Sequence, residues 1–395
     1  MSDAAALTTA PGDVPGWLRL TLAPGLGPAQ VRGLLAAFGL PPAIFAAPSA
    51  ALRQHLPEPA LRALLAPPDA ALQAQIEQTQ AWIAAPDQHI VTFADPAYPA
   101  QLLTLADPPP LLYVRGRLDL LARPALGIVG ARHATLQGMQ NAEAFADALS
   151  QAGQTVISGL ALGIDAAAHS GALRGPGSTI AVIGTGPDIA YPARNRALTD
   201  RIAAEGTVLS EFPLGAPASR FHFPRRNRLI AALGQGVLVI EAALQSGSLI
   251  TARLAAELGR EVFAVPGSIH APLSKGCHRL IREGAKLVET AQDIFEELQG
   301  HAVSPQMRSH PWHASAAVTP SAAPDPEPAR HAPPDGLPDM PDDPLLTALG
   351  HDPIPLDVLC ERLGQAASAL NAQLFALELA GHIERLPGNV FRRLH

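Results

Sequence analysis

Four arginines lie within nine consecutive positions near the middle of the chain: Arg220, Arg225, Arg226 and Arg228. No aspartate or glutamate occurs between Glu211 and Glu241, so the neighbouring sequence offers these arginines no counter-charge. Like charges that lack partners repel one another, and the chain as a whole carries a formal net charge of -7. The arginine cluster therefore predicts an anionic binding partner.

Glycine-rich turns follow four apolar runs in the same region. They are Gly130-Ala131-Arg132, the segment from Ser158 through Gly159 and Gly163 to Asp165, Gly184-Thr185-Gly186, and Ser246-Gly247-Ser248, which opens a helical pattern containing Thr251. Backbone N–H groups in such turns and at helix starts bind anions, and ligands of open α/β sheets lie at the carboxyl ends of strands. The four turns together predict a phosphate-binding surface.

Two common nucleotide-binding motifs are absent from the sequence. After Val129 the order is GARHATLQG rather than G-x-G-x-x-G, and no G-x-x-x-x-G-K-[ST] element occurs, so neither a dinucleotide domain nor a P-loop ATPase is indicated. Cys277 and Cys360 are the two cysteines, and their wide separation predicts neither a disulfide framework nor a zinc site. We expect no metal and no cofactor.

Several side chains of this region admit two interpretations. Phe221 and Phe223 stand among the arginines and either stack on a base or anchor the core. Arg228 either neutralises a phosphate or forms an internal ion pair with Glu211 or Glu241.

Four ionisable residues raise the question of catalysis: Asp165, His169, Glu211 and Glu241. Each could transfer protons in an enzyme. The other interpretation is structural, with Asp165 capping the helix that carries His169. An enzyme and a binding protein are therefore both open at this point.

The elements that must position these residues alternate between strands and helices. Strands are predicted over Ala125–Val129, Thr155–Ser158, Thr179–Ile183, Thr207–Ser210, Gly236–Ile240, Glu261–Val265 and Lys286–Val288. Helical patterns lie between them, for example over Leu136–Ala152, Asp165–Leu173, Asn195–Ala204 and Leu249–Leu258. This alternation is typical of a doubly wound α/β fold with a parallel sheet, and the extended residues His89–Leu121 are expected to lengthen that sheet.

The flanking regions differ in composition from the α/β region. Residues 1–85 are helical in pattern, and the turn Pro24–Pro28 resembles a helix-hairpin-helix, whose backbone can contact phosphates, or else belongs to a small interaction domain. Residues 299–343 are rich in proline, alanine, serine and histidine and predict a linker. Residues 344–395 predict three helices and a hairpin, a winged-helix layout. Its third helix, Ala366–Ala380, contains no basic residue, so a protein contact is as plausible as major-groove readout.

Length and hydropathy limit the class of protein. A chain of 395 residues has room for two or three domains. No uninterrupted apolar segment reaches the roughly 20 residues that a membrane span needs, and the start MSDAAALTTAPGD lacks a secretory pattern. We expect a cytoplasmic protein without a membrane partner.

Six motifs run in order through the α/β region: SGLALGIDAAAH (Ser158–His169), AVIGTGPDIAYPARN (Ala181–Asn195), SEFPLG (Ser210–Gly215), FPRRNRLIAAL (Phe223–Leu233), VIEAALQSGSLITA (Val239–Ala252) and GREVFAVPG (Gly259–Gly267). Together they closely resemble the DprA/Smf family of bacterial DNA-processing proteins. The resemblance implies an α/β protein whose extended Rossmann-like parallel sheet core binds single-stranded DNA. It also implies a small helical N-terminal domain similar to the sterile-alpha-motif (SAM) fold and a C-terminal winged helix.

The resemblance suggests both boundaries and activity. We expect the helical domain at 1–85, the single-stranded DNA-binding core at 86–298, the linker at 299–343 and the winged helix at 344–395. A non-catalytic homodimer is implied, which protects incoming single-stranded DNA and loads RecA onto it in natural transformation, competence and DNA recombination.

Carried over by position, the family's strand-contacting residues correspond to Arg132, Arg225, Arg226 and Arg228, and Lys275 falls in a further basic loop. The complete predicted DNA-binding set is Gly130, Arg132, Ser158, Gly159, Gly163, Gly184, Gly186, Arg225, Arg226, Asn227, Arg228, Ser246, Gly247, Ser248, Thr251 and Lys275. In the segment Gly276–Ile281, His278 stands where the family usually has asparagine.

The alternative is a nucleotide-hydrolysing enzyme of the Rossmann type. The region also resembles phosphoribohydrolases, which rely on a PGGxGTxxE motif. At the equivalent place the segment Glu241–Ser248 has no pair of glycines and no following glutamate in register. We therefore expect a binding protein rather than an enzyme.

Overall fold

The computed structural model of the chain describes residues 8–301, 344–349, 353–379, 382–386 and 389–393. The chain separates into two units, residues 1–305 and residues 306–395. Within the described part of the first unit, nine strands form one sheet: β1 Gln88–Thr92, β2 Leu111–Gly116, β3 Ala125–Val129, β4 Thr155–Ser158, β5 Thr179–Val182, β6 Thr207–Ser210, β7 Gly236–Val239, β8 Glu261–Ala264 and β9 Lys286–Leu287.

The strand order is β1-β2-β6-β5-β4-β3-β7-β8-β9. All neighbours from β6 to β9 are parallel, whereas β1 and β2 are added antiparallel beyond β6. The predicted α/β fold with a largely parallel sheet is confirmed, and so is the extension of the sheet by the segment before β3. Each of the seven predicted strands begins at its predicted residue, and four of them end one residue earlier.

Seven helices of the described residues connect or follow these strands: α7 Leu136–Gln151, α8 Ile164–Ala172, α9 Arg196–Glu205, α10 His222–Leu233, α11 Gly247–Glu257, α12 Lys275–Arg282 and α13 Ala291–His301. Side chains alternate across a strand, and β3 shows the consequence. Leu126 and Ile128 pack with α7 and α8 on one face. A β-carbon on Gly127 would lie 3.3 Å from Ile230 of α10, on the other face. Helices therefore cover both faces of the sheet.

The N-terminal part of the first unit is helical. Its described helices are α1 Val14–Thr21, α2 Pro28–Phe38, α3 Pro41–Ala46, α4 Ser49–Leu52, α5 Glu58–Leu65 and α6 Ala70–Trp82. Gly25 has a φ of 81°, which suits glycine, and it turns the chain between α1 and α2. Val14, Trp17 and Leu18 of α1 pack against Leu111 and Tyr113 of β2. The helical part thus lies against the edge of the large sheet.

The second unit contains the helices α14 Pro344–Leu349, α15 Leu356–Leu363 and α16 Ala367–Leu379, with the strands β10 Ile354–Pro355, β11 Ile383–Leu386 and β12 Val390–Arg393. The strand order is β10-β12-β11, and β11 pairs antiparallel with β12. Leu359, Leu370, Leu374 and Phe391 are fully buried and form its core. The predicted winged-helix layout is confirmed, although the turn residues Pro387 and Gly388 lie outside the described residues, as does most of the predicted linker.

No helix among the described residues is long and apolar enough to cross a membrane.

Candidate nucleic-acid interface

A cleft of about 630 Å³ opens where the carboxyl ends of β3 and β7 meet. In the sheet, β3 lies between β4, which follows it in the chain, and β7. At such a switch point the connections diverge and leave a crevice, which is where open α/β sheets bind ligands. Eight predicted DNA-binding residues line it: Gly130, Arg132, Arg226, Asn227, Ser246, Gly247, Ser248 and Thr251.

One wall of the cleft is the N-terminus of α11. Ser246 is its N-cap, and its Oγ accepts a hydrogen bond from the N–H of Ser248 at 3.3 Å. A β-carbon on Gly247 would meet no atom within 4 Å, so the backbone here borders open space. The positive end of the helix dipole and the N–H of Gly247, which makes no hydrogen bond among the described residues, are therefore available to an anion.

Arg226 forms the floor of the cleft and is 5% exposed. Among the described residues it forms no salt bridge, and its Nε has no hydrogen-bond partner. Burial lowers the pKa of Arg226 to about 10, an effect opposed by the nearby Asp165. A buried cation without a close ion pair costs free energy, and an anion in the cleft would offset that cost.

Asp165 holds the glycine turn beneath this floor. Its Oδ2 accepts hydrogen bonds from the N–H groups of Gly159 at 3.1 Å and Ala161 at 3.3 Å. Burial raises the pKa of Asp165, and Arg226 counteracts the rise. Asp165 does not cap α8 as the structural interpretation expected, because the N-cap of that helix is Gly163. Its carboxylate instead accepts from N–H groups of the turn before α8, so its role is structural but differs from the predicted one.

His169 is fully buried behind Asp165, and its Nδ1 lies 2.7 Å from Oγ1 of Thr179. That hydroxyl donates its own hydrogen to the carbonyl oxygen of Val156. Nδ1 must therefore carry the proton and donate, which leaves Nε2 unprotonated and without a partner in the part of the chain that the structure describes. Burial, followed by the charge of Arg226, lowers the pKa of His169 to about 3. The ring is held neutral within the framework.

Aromatic rings form the opposite wall. The ring centroids of Tyr191 and Phe223 are 5.8 Å apart, and the guanidinium of Arg132 lies 5.4 Å from the Phe223 centroid. Phe221 is 68% exposed and lies beneath the guanidinium of Arg220. The interpretation as a core anchor is therefore wrong for Phe221, which is exposed beside the cleft lining. Phe223 is half-buried and lines the cleft. An exposed ring beside cations can stack on a base.

Arg228 lies outside the cleft. Its guanidinium is buried and donates to Oε2 of Glu211 at 2.5 Å and to the carbonyl oxygen of Asp107 at 2.8 Å. The structure therefore forms the internal ion pair with Glu211. Glu241 is engaged elsewhere, because its carboxylate accepts from the N–H and the hydroxyl of Thr135, the N-cap of α7.

Arg225 is likewise separated from the cleft. It lies inside α10, which begins at His222. Successive helical residues point about 100° apart, so Arg225 and Arg226 face different sides of that helix. Arg225 is half exposed and donates to Oε2 of Glu211 at 3.3 Å, beside a second depression.

The remaining predicted residues do not line the cleft, and several of them have structural roles instead. Gly159 and Gly184 border a small recess of about 80 Å³ that shares Arg132 and Arg226 with the cleft. Ser158 is buried and donates to the carbonyl oxygen of Ile128 at 2.6 Å. Three further residues are outside the cleft lining: Gly163, Gly186 and Lys275. Gly163 has a φ of 75° and packs against the carbonyl of Ala131, and Lys275 donates to the carbonyl oxygen of Ile269.

Two other observations complete the site. Tyr191 and Ile250 line the cleft and were missing from the predicted set, although Tyr191 lies within the motif Ala181–Asn195. His278 stands in place of asparagine, and its Nε2 lies 3.0 Å from the carbonyl oxygen of Gly267. Within the described residues, no three side chains of His, Cys, Asp or Glu are grouped to hold a metal ion.

Comparison with known proteins gives consistent matches. Residues 89–299 match the family model described as DNA recombination-mediator protein A, and residues 320–389 match the DprA winged helix domain. The chain is 41% identical to Protein Smf of Escherichia coli (strain K12) over 318 residues, which are 80% of this chain and 80% of that protein. It is 50% identical over 205 residues to DNA processing protein DprA of Streptococcus pneumoniae, covering 52% of this chain and 72% of that protein.

A solved structure agrees with this. The X-ray structure of DNA processing protein A from Streptococcus pneumoniae superposes with a TM-score of 0.64 at 38% identity, covering 73% of this chain and 98% of that chain. The cleft lies within the first matched family region, which spans more than half of the 395 residues. The chain belongs to the DprA/Smf family of DNA-processing proteins.

Proposed function

We propose that the cleft binds the sugar-phosphate backbone of single-stranded DNA. The observation that carries this proposal is Arg226, a buried cation that faces the cleft without a salt bridge among the described residues. Arg132 adds a second positive charge, and the first turn of α11 adds the N–H of Gly247 as a donor. Phosphates on successive nucleotides are anions that could occupy both positions at once.

The aromatic wall favours a single strand over a duplex. Tyr191 is 45% exposed beside Phe223, so its ring is accessible to an unpaired base. Bases of a duplex are already stacked on one another and cannot offer their faces to it. The sequence of α16, the third helix of the winged-helix unit, contains no lysine or arginine to contact a major groove.

The test compares a labelled single strand with a duplex of the same length by fluorescence anisotropy over a salt series. We expect tighter binding of the single strand, little dependence on base sequence, and an affinity that falls steeply with salt. Arg132→Ala should reduce the slope of log affinity against log salt by about 0.7, the value for one phosphate contact on a single strand. Arg253→Ala is the matched control, because Arg253 is exposed on α11 and does not line the cleft. Equal affinity for the duplex at moderate salt would contradict the proposal.

We also propose that the protein binds DNA and does not hydrolyse nucleotides. Supporting this, the four ionisable residues considered for catalysis are all engaged with the framework: Asp165, His169, Glu211 and Glu241. A hydrolysis assay with nucleoside monophosphates tests the point. Turnover that is lost in a cleft variant such as Arg132→Ala would show an enzyme.

We further propose a homodimer formed through the β9 edge of the sheet. Among the described strands β9 is a terminal one, and its residues Lys286 and Leu287 are exposed. An edge strand has unpaired backbone N–H and C=O groups that can form hydrogen bonds with a strand of another chain. Two apolar side chains of the helices near this edge are less suitable for an interface, since Leu280 is buried in the core and Leu254 is only half exposed. Light scattering should give twice the chain mass, and Leu287→Asp should give a monomer. A wild-type monomer at micromolar concentration would contradict this.

The cellular role that we propose is to load RecA onto single-stranded DNA in the cytoplasm during transformation or recombination. A dimer would place two clefts on one strand and so raise its affinity by avidity. The test follows RecA filament assembly on single strands coated with a competing binding protein. We expect faster assembly with the wild type than with Arg132→Ala. No acceleration by the wild type would overturn the RecA role without affecting DNA binding itself.

A further inference from the structure

A groove of about 240 Å³ lies between the N-terminal helices and the large sheet. Leu22, Leu26 and Pro28 form its outer wall, and Pro109, Pro110 and Pro213 form the wall on the side of the sheet. These side chains are apolar and present flat or branched surfaces. The volume is below the range of roughly 300–1,000 Å³ found for drug-sized ligands, so the groove suits a single small planar group.

One residue of the groove lining, Glu211, carries a buried acceptor. Glu211 lines the groove and its side chain is 2% exposed. Its Oε2 accepts from Arg225 and Arg228, whereas no described residue donates a hydrogen bond to its Oε1. A buried carboxylate oxygen without a donor costs free energy, and an N–H group that reached it from the groove would offset that cost.

Donors for an anion stand at the mouth of the groove. Arg225 is half exposed, and among the described residues its guanidinium makes one hydrogen bond, although it has five N–H donors. Helix α2, eleven residues long, begins at the same mouth with Pro28. The N–H groups of Ala29 and Gln30 belong to its first turn and have no acceptor within the helix. The positive end of the helix dipole reinforces this preference for an anion.

We propose that this groove binds one nucleotide of the same DNA strand that occupies the cleft, and the proposal therefore rests on the proposed function. The base lies between the leucine and proline walls and donates an N–H to Oε1 of Glu211. Every nucleobase has an N–H donor on its Watson–Crick edge, so the groove accepts any base. The phosphate lies at the mouth, between Arg225 and the first turn of α2.

The position of Arg225 favours a nucleic acid over a peptide with the same chemistry. Arg225 follows directly before Arg226 in α10, and Arg226 forms the floor of the cleft. A strand that leaves the cleft over the first turn of α10 therefore reaches the groove without leaving the protein surface. The glycine turn between α1 and α2 then acts on phosphate, as the helix-hairpin-helix pattern of Pro24–Pro28 predicted.

The test uses the full chain and two oligodeoxythymidines, one of about six nucleotides that fills only the cleft and one of about twenty that reaches the groove as well. Ala29→Glu places a carboxylate at the phosphate position. Ala29 is exposed, and a glutamate in the first turn of a helix stabilises it, so the variant should fold. Ala36→Glu adds the same charge near the other end of α2 and is the matched control. Leu26→Trp, which fills the groove, is the second variant.

We expect Ala29→Glu and Leu26→Trp to bind the long oligonucleotide about tenfold more weakly than the wild type, a loss of one typical phosphate or stacking contact. Binding of the short oligonucleotide should be unchanged in both, and Ala36→Glu should behave as the wild type with both lengths. Wild-type affinity of Ala29→Glu and Leu26→Trp for the long oligonucleotide would overturn the groove while leaving the cleft intact. If the wild type binds neither length, the proposed function fails, and the groove fails with it.

Discussion

The guanidinium of Arg226 occupies the space that a β-carbon would fill on Gly159. A methyl group built on Gly159 would overlap Nη1 and Cζ of Arg226. The turn between β4 and α8 therefore has a glycine here for a steric reason, which is separate from any contact of its own with DNA. Arg226 can lie flat on the floor of the cleft only because this one residue has no side chain.

Gly159→Ala should accordingly displace the guanidinium and weaken binding of single-stranded DNA by about tenfold, the equivalent of one lost charged contact. The fold should persist, because the end of an arginine side chain can move aside. Fluorescence anisotropy measures the affinity, and circular dichroism checks the fold. Gly33→Ala, where the added methyl meets no atom within 4 Å, is the control. Undiminished affinity in Gly159→Ala would show that Arg226 needs no fixed position.

Arg228→Met should lower the free energy of unfolding by about 3 kcal/mol, because it leaves the buried Glu211 without its closest charged partner. Arg225→Met removes a half-exposed partner of the same carboxylate and should cost below about 1 kcal/mol. Urea unfolding of the two variants gives the comparison. Similar losses in both would contradict the assignment of Arg228 as the structural arginine.

The buried imidazole of His169 should make stability depend on pH. Burial and Arg226 lower its pKa to about 3 in the folded protein, against the ordinary value of 6.5. Between these values the unfolded chain binds a proton that the folded protein does not. The contribution of His169 to the free energy of unfolding is therefore complete above about pH 6.5. Below that pH it falls by up to about 1.4 kcal/mol for each pH unit.

Urea unfolding between pH 7 and pH 4 measures that slope. His169→Gln should flatten it, since glutamine does not titrate, whereas His270→Gln should retain the wild-type slope because His270 is exposed. The same slope in His169→Gln as in the wild type would mean that other groups dominate the acid response.

A chain that ends at residue 301 should keep most of the DNA affinity. The cleft is lined entirely by residues between Val129 and Thr251, within the first unit. Removing the winged-helix unit leaves these residues and their supporting strands in place. Anisotropy with the truncated and the full chain makes the comparison. A truncated protein that is folded and does not bind would place an essential contact in the second unit.

The sequence by itself determined the sheet and the location of the site. Buried parallel strands are continuous apolar runs that end in glycine turns, and this local pattern marked each of the seven predicted strands at its first residue. The carboxyl ends of parallel strands lie at one edge, so the four glycine turns could be assigned to one surface, whereas the strand order of the fold decided which of them border the cleft. The segment Ser246-Gly247-Ser248 was also predicted to open a helix, and α11 begins there at Gly247.

Only the tertiary structure decided what each arginine of the cluster does. Arg225, Arg226 and Arg228 are equally cationic and adjacent in the sequence, but α10 turns about 100° per residue and directs them to different surroundings. Arg226 meets the open cleft and Gly159, Arg225 the mouth of the groove, and Arg228 the buried Glu211. The partners of Arg228 come from the residues just after β6 and just before β2, namely Glu211 and Asp107, and both segments are distant from α10 in sequence. Charge is a property of the residue, whereas its partner is a property of the fold.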